Sequence, residues 1–236
     1  FIDNVIPFYN QYDVPLVVSI SAQTADDFAR ICERVSVPGV DAIEANISCP
    51  NIKEDGKAFA MRPSTTHAVM TKLRGASDLP LWAKLSPNTG ETIEVAMAAE
   101  EAGADALVVS NTLLSMAIDI HSRKPKLGNL MGGLSGPSLK PIALRMAYQC
   151  AKSVNIPVIG CGGISTVEDI VEYLIAGATA VQVGTATFIN PNAMVTLLAE
   201  LEAFLQNQNI QNVSELVGSV RDEDAADAVV FMETAP

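Results

Sequence analysis

Short apolar runs rich in β-formers recur along the chain, and most are followed by a stretch whose apolar residues fall three or four positions apart. The apolar runs predict six strands: Pro15 to Ser21, Ala42 to Ser48, Leu81 to Leu85, Ala106 to Asn111, Val158 to Gly160 and Ala180 to Val183. The intervening periodicity predicts helices at Ala25 to Val35, Pro63 to Leu73, Glu91 to Ala102, Pro141 to Ser153 and Val167 to Ala176. Ala199 to Leu205 belongs to a further helix beginning near Pro191, Phe1 to Tyr12 is helix-like, and Asn207 to Gly218 can form one more short helix.

Strands apolar on both faces and alternating with helices require a parallel sheet covered on both sides. The repeated junctions "AGADALVVS" and "AGATAVQVG" have the form of (β/α)8 repeats, so the predicted fold is an α/β TIM barrel spanning residues 1–218. Six βα units do not close an eight-stranded barrel, and the chain opens inside a helix-like segment with no strand before it. The first two βα units are therefore expected to be missing, leaving two open sheet edges and poor independent folding. From residue 219 onward, Arg221-Asp-Glu-Asp224 begins an acidic tail that reads as a solvated terminus.

The 236 residues are 49% hydrophobic, enough for one large core. A formal charge of −12, with only 15 Lys and Arg, argues against a nucleic-acid partner, because phosphate backbones are bound by clustered cations. Cys32, Cys49, Cys150 and Cys161 are scattered, with no CxxC and no histidine at ligand spacing, so neither a metal site nor a disulfide framework is expected. Free thiols and the lack of an 18-residue apolar run give the expectation of a cytoplasmic protein without a membrane span.

In a (β/α)8 barrel the chemistry sits at the carboxyl ends of the strands. There the chain places Ser19 and Ser21, then Asn46, Ser48, Cys49 and Asn51, then Lys84, then Ser110, Asn111 and Thr112, then Gly160 to Gly163, then Gly184 and Thr185. The glycine turns after the last two strands let backbone N–H groups approach an anion, and the helix starting near Ser165 adds its positive end, so a phosphate cradle is expected. Lys84 interrupts the apolar strand Leu81-Trp-Ala-Lys-Leu85 and needs a negative partner: a bound ligand, Glu44 on the neighbouring strand, or both. Cys49 lies among polar residues on a rim loop, where a thiol of ordinary pKa about 8.5 can act as a general base. Cys161 reads as packing, Cys32 and Cys150 as core, and His67 and His121 as surface or helix-packing residues.

The segments "EANISCPN", "WAKLSPN", "VVSNTLLSMAIDI", "GGLSGPSLKPIALRM", "VIGCGGI" and "AVQVGTA" occur in one order over roughly Phe1 to Gly218, and together they resemble the class 1 dihydroorotate dehydrogenases. That resemblance implies an FMN-binding barrel that oxidises dihydroorotate to orotate in pyrimidine synthesis. A base removes the C5 proton while hydride passes from C6 to flavin N5, and Cys49 falls at the base position. It further implies that Ser19, Asn46, Lys84, Ser110, Gly136, Gly162, Gly163, Gly184 and Thr185 contact FMN, and that Asn46, Asn51, Asn111 and Thr112 contact substrate. "NTLLSMAIDI" and "GGLSGPSLKPIALRM" look like class 1B, which implies an iron–sulfur FAD subunit passing electrons to NAD, in a homodimer or heterotetramer. Class 1A, a fumarate-reducing homodimer, is the nearer rival. The family pattern also has a lysine and an asparagine-containing loop from two earlier strands, which this chain lacks, and an asparagine where Ser19 stands. A barrel of the dihydropyrimidine dehydrogenase type, which shares an Asn-x-Ser-Cys-Pro loop, and a non-catalytic barrel binding a phosphate ligand are the alternatives.

Overall fold

The computed structural model describes residues 1–48 and 58–221. Six strands, β1 (Val17–Ile20), β2 (Ala42–Ala45), β3 (Leu81–Lys84), β4 (Ala106–Val109), β9 (Val158–Cys161) and β10 (Ala180–Gln182), form one parallel sheet in that order. Every strand expected from the apolar runs is present. The interior strands β2 and β4 are buried at all positions, as a strand covered on both faces must be.

Helices α2 (Ala25–Val35), α3 (Pro63–Arg74), α4 (Thr92–Glu101), α5 (Lys140–Ala151), α6 (Val167–Ile175) and α8 (Ala193–Asn207) occupy the expected segments, and a single turn, α7 (Ala186–Ile189), precedes the last of them. Their ends follow local chemistry: Thr24 accepts from the Asp27 N–H at 3.1 Å to cap α2, Pro63 opens α3, and Thr166 and Asp169 form a reciprocal capping box on α6. The helix expected over Phe1 to Tyr12 narrows to α1 (Val5–Tyr9), where Pro7 sits in the first turn and its missing N–H costs nothing. Over Asn207 to Gly218 only a single 3₁₀ turn forms, at Val213–Glu215. The acidic tail from residue 222 lies outside the described residues.

Two contacts show that the sheet curls. Strands β2 and β10 are four steps apart, about 19 Å in a flat sheet at roughly 4.8 Å per step. Yet Gln182 Nε2 on β10 donates to Glu44 Oε2 on β2 at 2.6 Å, and Lys84 on β3 reaches Gln182 at 3.1 Å. Only an arc that brings its inner side chains together permits this, the curvature of a barrel wall. Packing divides accordingly: the large core lies between sheet and helices, and a small inner core of Ala106, Val108 and Ile159 with Trp82 and Cys161 lies within the arc. Among the described residues β1 and β10 each pair on one side only.

Between β4 and α5 the chain inserts two small antiparallel ladders absent from the expected pattern. Strand β5 (Leu113–Ser115) pairs with β8 (Gly132–Leu134), and β6 (Ile118–Asp119) pairs with β7 (Lys124–Pro125). They stand over the carboxyl end of the sheet, where β8 leads into the Gly136 turn that opens α5.

Candidate active site

A cavity of about 340 Å³ opens at the carboxyl ends of β3, β4, β9 and β10, within the range of small-molecule and cofactor pockets. It is lined by Lys84, Ser110, Asn111, Thr112, Gly136, Gly162, Gly163, Gly184 and Thr185, nine of the residues singled out from the sequence. Gln182, Ser135, Cys161 and residues of α7 and α8 also line it. Asn46 stands one contact behind this wall and Ser19 two, through Glu44, while Cys49 and Asn51 lie outside the described residues.

At the base of the cavity four polar side chains from four strands interlock. Glu44, 4% exposed, accepts from Lys84 Nζ at 3.3 Å and from Ser19 Oγ at 2.9 Å on one carboxylate oxygen, and from Gln182 Nε2 at 2.6 Å on the other. Gln182 Oε1 accepts from Lys84 at 3.1 Å, so its two neighbours fix the orientation of its amide. Lys84 therefore both pairs with Glu44 and faces the cavity, the two roles weighed for it on sequence grounds. Burial pushes the Cys161 thiol up, partly opposed by the Lys84 ammonium and reinforced by Glu44, which suits a neutral packing residue rather than a nucleophile.

Asn111, just past β4, donates through Nδ2 to Asn46 Oδ1 at 2.9 Å and also contacts Ser48 Oγ, while Ser48 Oγ donates to Asn46 Oδ1 at 2.6 Å. These contacts bring the end of β2, where the Cys49 loop departs, against the end of β4. The peptide after β4 is further fixed by Asn88, which donates to the Thr112 carbonyl at 3.3 Å and accepts from the Leu114 N–H at 2.8 Å. Thr112 packs against Gly133 on β8 so closely that a Cβ there would lie 2.1 Å from its hydroxyl. Gln182 and Asn88 were not singled out from the sequence. Gln182 carries the signal that exposed Lys84, a polar residue inside an apolar strand, whereas Asn88 lies in a loop with nothing to mark it.

The glycine turns deliver less of a helix-dipole site than expected. The N–H groups of Ser165 and Thr166 already donate to Asp169 Oδ2, at 2.8 and 2.9 Å, so the first donors of α6 are spent within the protein. Among the described residues no acceptor meets the N–H of Gly162, Gly163, Gly184 or Thr185, but the turn after β10 differs in space, since a Cβ on Gly184 would have nothing within 4 Å. Neither packing nor a positive φ requires glycine at 184, and the space its missing side chain leaves belongs to the cavity.

A curled parallel sheet with convergent polar residues at its carboxyl rim has the architecture of an enzyme-type α/β barrel. The dihydroorotate dehydrogenase family model matches residues 2–205, and the chain belongs to that family. It is 47% identical over 217 residues to the dihydroorotate dehydrogenase B (NAD(+)) catalytic subunit of Desulforudis audaxviator, covering 92% of this chain and 71% of that protein. With the subunit of the same name from Geobacter metallireducens it shares 46% over 222 residues, 94% of this chain and 73% of the relative. The crystal structure of the Eimeria tenella dihydroorotate dehydrogenase in complex with ferulenol superposes with a TM-score of 0.69 at 25% identity; the match covers 84% of this chain and 58% of that one.

Proposed function

We propose that this chain oxidises dihydroorotate to orotate with FMN as cofactor, as the catalytic subunit of a type B enzyme whose electrons leave through an iron–sulfur FAD subunit to NAD. The observation that carries this reading is the convergence of nine family-assigned residues on one cavity in a chain of that family. The donors fit FMN. Lys84 supplies a cation for the electron-rich end of a flavin ring. Gly184 and Thr185 supply unengaged amides for a phosphate, and Gly184 leaves open the space a side chain would fill.

When bound, FMN would accept the hydride from substrate C6. The remaining work falls to the chain. Asn111 and Thr112, held by Asn46, Ser48, Asn88 and Gly133, present amide and hydroxyl groups at the cavity wall suited to the carboxylate and ring amides of dihydroorotate, with Asn51 adding a further contact. Cys49, three residues beyond Asn46, takes the C5 proton as general base. No helix among the described residues is long and apolar enough to cross a membrane.

Purified protein should show flavin absorbance that bleaches anaerobically on addition of dihydroorotate but not of dihydrouracil, and added iron–sulfur FAD subunit should couple the bleaching to NAD reduction. Cys49→Ala should retain FMN and bleach about 10²-fold more slowly. Bleaching by dihydrouracil alone would place the chain with the pyrimidine-reducing barrels. Protein without flavin would favour a non-catalytic phosphate-binding barrel.

A further inference from the structure

We propose that Glu44 is a positioning residue that, clamped by Gln182, fixes the Lys84 ammonium and sets how much of its charge is felt in the cavity. This rests on the FMN reading above. Glu44 does not line the cavity; Lys84 and Gln182 do, and the carboxylate stands behind both. It can therefore reach a ligand only through them.

The geometry separates this pair from an ordinary structural salt bridge. Charge-assisted N–H···O bonds usually measure about 2.7–2.9 Å. Glu44 spends its short bond, 2.6 Å, on the Gln182 amide, and holds Lys84 at 3.3 Å. An ammonium has three donors. Two of those on Lys84 go to Glu44 and Gln182, and the remaining one has no acceptor among the described residues. Three strands thus hold one half-buried cation in place and leave it incompletely neutralised beside the cavity.

A reduced flavin carries more negative charge than an oxidised one, so a cation favours the reduced form and a nearby carboxylate tempers that preference. Glu44→Gln retains an acceptor for Lys84 and removes the negative charge. Released from the carboxylate, the ammonium can advance on the ligand, and closing from about 6 to about 4 Å at an effective dielectric near 20 raises the preference for reduced over oxidised FMN about tenfold. For a two-electron couple that is a shift of about +30 mV in midpoint potential.

The test is spectroelectrochemical titration of FMN bound to the unaltered protein, Glu44→Gln, Lys84→Met and the double variant. The expected result is a rise of about tenfold for Glu44→Gln that falls below about threefold when Lys84 is absent, since the carboxylate then has no ammonium to act through. Gln182→Met removes the clamp and lets Glu44 close on the ammonium, should move the ratio in the opposite direction, and stands in for Glu44→Gln should that variant not fold. A Glu44→Gln ratio within twofold of the unaltered protein, an equal shift with and without Lys84, or a Gln182→Met shift upward overturns the role of Glu44. Failure of the unaltered protein to hold flavin overturns the FMN reading and this inference with it.

Discussion

The turns after β9 and β10 look alike in sequence, Gly162-Gly163 and Gly184-Thr185, yet they use glycine for different reasons. After β9 the glycines are demanded by the protein itself. Gly163 has φ +74°, and a Cβ there would lie 2.8 Å from the Gly136 carbonyl and from both the backbone N and Cβ of Lys140. The Gly162 carbonyl accepts from Tyr173 Oη at 2.8 Å, and the Ser165 and Thr166 amides further along are taken by Asp169, which in turn holds Lys140 Nζ at 2.7 Å. After β10 no such network exists among the described residues, and the amides of Gly184 and Thr185 remain open. Open amides follow both strands, so a glycine is evidence for a ligand only where the protein also leaves its space unspent.

The sharpest way to break that distinction is Gly163→Ala. A left-handed φ and contacts below 3.0 Å with backbone atoms cannot both be relieved by a side-chain shift, so the substitution should cost about 3 kcal/mol or more of stability in chemical denaturation. A loss below about 1 kcal/mol would show that this turn, too, has slack.

Asp169→Asn probes the network that closes the same turn. Burial alone would push the Asp169 carboxyl up, but the Lys140 ammonium and the Ser165 and Thr166 N–H groups outweigh it and hold it below its ordinary value. Lys140 is raised, chiefly by Asp169 and then by Glu172. A lowered carboxylate contributes stability that is complete above its unfolded pKa and lost as pH falls through the folded value. A raised lysine contributes stability that is complete below its unfolded pKa and lost as pH rises through the folded value. The variant should thus be about 2 kcal/mol less stable on a plateau between about pH 5 and about pH 10, with the gap closing on both sides. A pH-independent gap would mean that Asp169 acts through shape alone.

How much of this was legible depends on whether a feature is local and buried. All six strands could be read because each is an apolar run, and Lys84 could be read because it interrupts one. The ladders between Leu113 and Leu134 could not, since strands of two and three residues with exposed side chains carry no hydrophobic period. The phosphate cradle was legible as glycines but not as donors. Thr166 and Asp169 at capping-box spacing already show that the first α6 amides have an acceptor inside the protein, whereas the Lys140 to Asp169 pair joins residues 29 apart and no local pattern announces it. The four-strand cluster of Ser19, Glu44, Lys84 and Gln182 exists only because the sheet curls, a global property that no single segment displays.

Gly184→Ala has the smallest expected effect and isolates the ligand's share of the second turn. With nothing within 4 Å of the new methyl and no left-handed φ to strain, the folded protein should lose less than about 0.5 kcal/mol. The methyl would instead enter the space beside the Gly184 and Thr185 amides, so a phosphate bound there has to move away from them. FMN affinity, measured by fluorescence quenching on titration into the apoprotein, should weaken about tenfold, or about 1.4 kcal/mol. Riboflavin, which lacks the phosphate, should bind both proteins alike. If riboflavin weakens as much as FMN, the methyl is meeting the ring or the ribityl chain, and the phosphate belongs instead against the Gly162 and Gly163 amides after β9, short of the Ser165 and Thr166 amides that Asp169 occupies.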